Sequence, residues 1–180
     1  ALPIFYPRIP LNTPGGELKG VEASYVQPFT FLPGNWANLG MQLNYTWVDS
    51  QIQYLSSTGA PVMKNDLTGL SRSAWNATLF YEGSTFAGRV SATNRDDYLT
   101  QVPGSEVGFN VDGVHGMTGT TMIDAALRYK ISTQLELSLE GINLTNEASD
   151  EWVSSPRTGA LPLQYTETGR QYLLGLRYHY

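Results

Sequence analysis

Side chains that could carry out bond chemistry are few and scattered in this chain of 180 residues. There is no cysteine, which removes thiolate metal sites, cysteine nucleophiles and disulfides together. The two histidines, His115 and His179, stand far apart in sequence, so a histidine metal site or a Ser-His constellation is thinly supplied. The Asp96–Asp97 pair lacks the regularly spaced oxygen ligands of a Ca2+ loop. Asn76-Ala-Thr78 and Asn143-Leu-Thr145 match the N-glycosylation sequence, but both fall in segments that read as strands. Acidic residues outnumber basic ones 16 to 11, and a net charge of -5 excludes nucleic acid as a partner, because phosphate binding needs a basic face. No cofactor is implied. What remains is recognition chemistry: Tyr and Trp rings that stack on flat ligands, and Asp or Arg groups that hydrogen-bond polar ones.

The elements that would position such groups show a period of two. Val21, Ala23 and Tyr25 alternate with Gly20, Glu22 and Ser24 in 17–28; Met41, Leu43, Tyr45 and Trp47 alternate with Gln42, Asn44 and Thr46 in 39–51. Trp75, Ala77, Leu79 and Tyr81 share a face in 74–82, as do Phe86, Val90 and Ala92 in 85–98 opposite Arg89, Ser91, Thr93 and Arg95. Ile123, Ala125, Leu127 and Tyr129 (120–130), Leu135, Leu137 and Leu139 (134–145), and Tyr172, Leu174, Leu176, Tyr178 and Tyr180 (169–180) complete the set. Helical spacing fits none of these as well. The count is about seven strands, each near the ~9–11 residues that a tilted strand needs to cross a bilayer.

The connections alternate in length. Gly83-Ser84-Thr85, Ile131-Ser132-Thr133 and the modest turn 31–38 are short; 52–71, 97–118 and 146–168 are long and rich in Gly, Pro, Ser, Asn and Asp. Short periplasmic turns and long outer loops are the pattern of outer-membrane barrels. Charged residues make up only 15% of the chain, against about 25% in ordinary soluble domains. The aromatics gather on the apolar face towards strand ends, where interface girdles form; in a soluble sheet they would instead fill a core. The opposite face carries Glu22, Glu82, Arg89, Arg95, Arg128, Glu136, Glu140 and Arg177, which a wet lumen accommodates. Residues 1–15, with Pro3, Pro7, Pro10 and Pro14, read as an outer-loop remnant, and 16–180 as the strands. Single-chain bacterial barrels close with an even number of strands. Seven leave two open edges, at several kcal/mol per orphan backbone group in hydrocarbon, so the expectation is a segment completed by further strands.

Several stretches, in order, resemble the C-terminal barrel portion of TonB-dependent outer-membrane receptors. They are Gly20-Val-Glu-Ala-Ser-Tyr25, Asn44-Tyr-Thr-Trp-Val-Asp-Ser50, Leu67-Thr-Gly-Leu-Ser71 with Asn76 and Tyr81-Glu82, Arg89 with Arg95-Asp-Asp-Tyr-Leu99, Glu140-Gly-Ile-Asn-Leu-Thr-Asn-Glu147, and 169–180. Asn94 departs from the family pattern, standing where an aromatic is common, and Tyr180 replaces the usual terminal Phe. The resemblance implies an all-β, antiparallel transmembrane barrel, of which this chain would hold about the last seven of roughly twenty-two strands, without the plug domain.

It also implies a function, namely import of a scarce nutrient, an iron–siderophore complex or an oligosaccharide, across the outer membrane of a Gram-negative bacterium. Implied partners are outer-membrane lipid, the N-terminal strands and plug of the same receptor, the TonB energising complex acting through that N-terminal region, the barrel-assembly machinery, and the small-molecule nutrient. The ligand-contact candidates near the outer strand ends are Asp49, Arg95, Asp97, Tyr98, Glu106, His115 and Trp152. Lumen charges such as Glu22, Arg89, Arg128 and Glu140 suit the plug surface better than a ligand. Gly175, Tyr178 and Tyr180 resemble the C-terminal signal read by the assembly machinery. Two other readings stand beside this one: a complete small barrel with an adhesive or structural role, which needs an eighth strand, and a barrel enzyme, for which His115 has no evident partner. The expectation is a protein that is not an enzyme.

Overall fold

Alternation of apolar and polar residues dictates a sheet, and the computed structural model shows one. It describes residues 14–56, 58–103, 113–157 and 159–180. The strands are β1 (Gly16–Pro28), β2 (Leu39–Leu55), β3 (Pro61–Asn65), β4 (Ser73–Glu82), β5 (Phe86–Arg95), β6 (Tyr98–Gln101), β7 (Val114–Met117), β8 (Thr120–Lys130), β9 (Leu135–Ile142), β10 (Ala148–Ser155), β11 (Gly159–Glu167) and β12 (Gln171–Tyr178). All pairings are antiparallel. The main sheet runs β1-β2-β4-β5-β8-β9-β12, with β3 beside the far half of β2. These seven path strands are the seven that the alternation predicts. The expected loop at 1–15 begins before the described residues, and β1 starts at Gly16.

Register carries one face across the whole sheet. Tyr25↔Leu43, Leu43↔Ala77, Ala77↔Ala92, Ala92↔Ile123, and then Leu127↔Leu139 and Leu139↔Leu174 place a run of apolar residues on one side, with Leu18, Val26, Phe80, Met122 and Leu173 falling on the other. The other side pairs polar side chains across strands: Ser24 Oγ donates to Asn44 Oδ1 at 2.8 Å, Asn76 Nδ2 to Thr93 Oγ1 at 3.0 Å, and Thr78 and Ser91 hydroxyls meet at 2.8 Å. No dry interior backs the apolar side. Val102 is the one buried hydrophobic residue among the described residues, while Leu174 is 75% exposed. In water alone, each such side chain would forgo about 1.5–3 kcal/mol of burial. Among the described residues β1 pairs only with β2 and β12 only with β9, so the wall has two free edges.

Short turns close one end. Gly83 N–H donates to Phe86 O at 2.9 Å between β4 and β5, and Ile131 N–H to Leu135 O at 2.9 Å between β8 and β9. A single 3-10 turn, Gly34–Asn38, lies between β1 and β2.

The long connections are more ordered than their composition suggests. They hold β3, β6, β7, β10 and β11, four of which form a second sheet, β11-β10-β7-β6. Its strand order repeats β12-β9-β8-β5, and the register Arg95↔Thr120 continues without a slip as Tyr98↔Met117. The second sheet is therefore the first one prolonged past a break. At that break the sequence-based strands 85–98 and 134–145 end early, at Arg95 and Ile142. Asn143 takes a left-handed φ of 54° and Asn146 one of 57°, which turns the chain out of the ladder. The sequon at Asn143 thus sits in a turn rather than a strand, with its side chain 3% exposed and closed to modification.

Candidate functional site

The ligand candidates among the described residues map to the long-loop end, and there they fall into several arrangements. Arg95 closes β5. Its Nε donates to Ser71 Oγ at 2.7 Å, its Nη2 to Gly69 O at 2.7 Å, and its guanidinium lies 3.8 Å from the centre of the Tyr98 ring. Ser71 Oγ in turn donates to Asp96 O at 2.8 Å, and Gly69 N–H to Leu99 O at 2.6 Å. Arg95 and Tyr98, both expected as ligand contacts, are brought together, and their polar and π surfaces serve a clasp between the 66–72 segment and β5–β6.

Asp49 lies on the apolar side of β2, beyond Trp47, 3.6 Å from Arg72 Nη2, which is also 3.5 Å from Asp66. All three are well exposed, so solvent leaves each pair worth ~0–1 kcal/mol. Arg95 and Asp97, with Asp66, Arg72, Asn94 and Thr121, line an open concavity of about 520 Å3 at this rim. His115 Nδ1 stands 3.8 Å from Glu151 Oε1, away from both groups. Glu106 lies outside the described residues.

Trp152 belongs to another concavity, of about 470 Å3, on the second sheet, which shares Asp97 with the first. Trp152 pairs with Gly116 in register, and its ring fills the space that a Cβ on Gly116 would need. Asp150 pairs with Tyr165, and both share that face with Trp152 and Pro162. Gly116 and Trp152 share one face of the second sheet, and His115 and Glu151 the other. Asp97 Oδ1 accepts Gly119 N–H at 2.6 Å at the lip. Asp150 and Tyr165 were missed in the sequence reading, because a segment taken as loop offers no alternation to place them. The proline-interrupted run Leu161-Pro162-Leu163-Gln164-Tyr165 was the available signal.

Below the break the polar face carries Glu22, Arg89, Arg128 and Glu140, as the alternation predicts, with Arg128 Nη2 3.9 Å from Glu82 and Arg177 Nη1 3.8 Å from Glu136. Gly175 lies opposite Ser138, whose Oγ occupies the position of a would-be Cβ. Tyr178 ends β12 on the apolar side, and His179 N–H continues the pairing to Gln134 O at 2.8 Å.

The family model for the TonB dependent receptor-like β-barrel matches residues 5–144. The fold is similar to that of the siderophore receptor PiuA from Acinetobacter baumannii, with a TM-score of 0.62 at 17% identity, over 91% of this chain and 22% of that receptor. The chain thus spans about a fifth of that receptor's length, as a partial barrel wall. No curated protein matches in sequence. A match over well over half of the chain, on a wall of this construction, shows that the chain belongs to the TonB-dependent receptor β-barrel family, a family of receptors and transporters.

Proposed function

We propose that this chain supplies the C-terminal part of the wall of an outer-membrane receptor that imports a scarce nutrient with energy delivered through TonB. The supporting observation is the sheet itself: seven strands with one predominantly apolar side, polar pairs on the other, and no core between among the described residues. Lipid covers the first side and stabilises what water would not. The polar side faces a wet lumen holding the plug, against which Glu22, Arg89, Arg128 and Glu140 are set. The free edges of β1 and β12 pair with the remaining strands of the same receptor. Tyr178, Tyr180 and Gly175 present the assembly signal. The long-loop end is the outer, ligand-receiving end, and the nutrient is an iron–siderophore complex or an oligosaccharide.

The test is uptake by cells of a Gram-negative host carrying the intact receptor. Labelled nutrient should accumulate only with the receptor and TonB both present, and the receptor should fractionate with the outer membrane. Accumulation that persists without TonB, or a receptor recovered in the soluble fraction, would overturn the proposal.

A further inference from the structure

The concavity on the second sheet has the chemistry of a carbohydrate subsite, and we propose that Trp152 and Tyr165 there bind a neutral oligosaccharide. This rests on the import reading above, since it names the class of nutrient. Three features of the site carry it.

The first is a flat aromatic shelf. Gly116 leaves the space that the Trp152 indole occupies, so the ring lies along the sheet instead of standing off it. Tyr165, 69% exposed, stands on the same face diagonally across β10–β11, opposite Asp150, while Pro162 lies directly opposite Trp152. Alternate positions along a strand are about 7 Å apart and neighbouring strands about 5 Å, so the two rings fall within the length of two linked sugar rings. The C–H face of a pyranose packs on such rings, while its hydroxyls need acceptors at the edge.

The second is the charge. Asp97 and Asp150 bring carboxylates to the concavity and, among the described residues, no Lys or Arg lines it; Glu151 borders it but alternates to the other face, towards His115. Carboxylates accept hydrogen bonds from sugar hydroxyls and repel an anionic ligand such as a ferric tris-catecholate. Arg95, the guanidinium among the ligand candidates, is already engaged by Ser71, Gly69 and Tyr98.

The third is location. The concavity lies on the second sheet, which prolongs the wall past the break at the long-loop end. A ligand held there stands at the outer rim, beyond the strands that span the bilayer.

The experiment uses the intact receptor in detergent, titrated calorimetrically with maltohexaose, cellohexaose and xylohexaose, and separately with ferric enterobactin. At least one neutral oligosaccharide should bind, Trp152→Ala should raise its Kd by roughly tenfold or more, and Trp152→Phe should keep most of the affinity. Tyr165→Ala, on a strand exposed along its whole length, should weaken binding several-fold without threatening the fold. Absence of saturable binding by all three sugars overturns the proposal, as does a Kd unchanged in both alanine variants. Ferric enterobactin bound and imported in a TonB-dependent manner, with no sugar bound, removes the subsite and leaves the import reading intact. Sugar binding without TonB-dependent uptake does the reverse.

Discussion

The Arg95 guanidinium rests 3.8 Å from the centre of the Tyr98 ring, three residues along the chain and across the break between the two sheets. The same side chain donates to Ser71 Oγ and Gly69 O, so one cation ties β5, β6 and the 66–72 segment together. Hydrogen bonds from a charged group contribute about 1.5–3 kcal/mol, and an exposed cation–π contact about 0.5–1 kcal/mol.

Arg95→Ala should therefore free the 66–72 segment without unfolding the wall. Deuterium exchange at Gly69 N–H, which donates to Leu99 O at 2.6 Å, should accelerate by roughly tenfold or more. Amides in the middle of β8 should keep their protection. Arg95→Lys retains the charge but not the planar fork and should fall between. Equal exchange in all three proteins would show that the clasp holds nothing.

Asn143 is the second joint. Its N–H donates to Asp124 Oδ1 at 2.8 Å, its Nδ2 to Glu147 O at 3.0 Å, and its Oδ1 accepts Glu147 N–H at 2.8 Å, all at 3% exposure. Asn143→Ala strands Glu147 N–H and O, though its own N–H keeps Asp124, and it puts at φ 54° a residue without asparagine's tolerance of that region, for a loss of about 3 kcal/mol. Asn143→Gly relieves the backbone alone, so it should recover roughly 1 kcal/mol of that. Urea unfolding of the refolded receptor followed by band shift on unheated gels measures both. Equal losses in the two variants would remove the backbone part of the explanation.

These two joints also show where sequence reasoning stops. Leu43, Leu79, Val90, Leu127, Leu139 and Leu174 could be placed on one face from alternation alone, because a period of two survives without any knowledge of partners. The faces of Glu22 and Arg128 follow from the same rule. Asp150 and Tyr165 could not be found, since their position depends on β10 and β11 prolonging β9 and β12 beyond the turn that Asn143 makes. Arg95 was legible as a rim residue, but its partners Ser71 and Gly69 lie 24 and 26 residues away, a pairing that no local pattern encodes. Asp49 was expected to face ligand, and its parity with Tyr45 and Trp47 already pointed it to the other side.

The proposed solvents of the two faces can be separated with neighbouring residues. Val90 points to the apolar side and Ser91, opposite Asp124, to the polar side. Val90→Arg should destabilise the folded barrel in lipid by about 2–4 kcal/mol, as charges do on a lipid face. Ser91→Arg, with a carboxylate across the ladder, should change stability by less than about 1 kcal/mol. The midpoint of urea unfolding in vesicles reads the difference. Similar costs at both positions would mean that the two faces meet the same environment.

Gly175 and the terminal tyrosines can be disentangled, although the proposed assembly signal includes both. A Cβ at Gly175 collides with Ser138 Oγ on the facing strand, so Gly175→Ala should weaken the β9–β12 pair and slow assembly by a packing fault worth roughly 1–3 kcal/mol. Ser138→Ala removes the obstructing oxygen and leaves a Cβ 3.8 Å away, an ordinary contact. The double variant should then assemble at nearly the original rate, measured as the appearance of heat-modifiable receptor in the outer membrane. Tyr178→Ala and Tyr180→Ala touch no such partner position. They should slow assembly several-fold while leaving the urea midpoint of assembled protein nearly unchanged, because a recognition step precedes folding. If Ser138→Ala fails to rescue Gly175→Ala, the glycine is read by the machinery itself rather than required by its neighbour across the sheet.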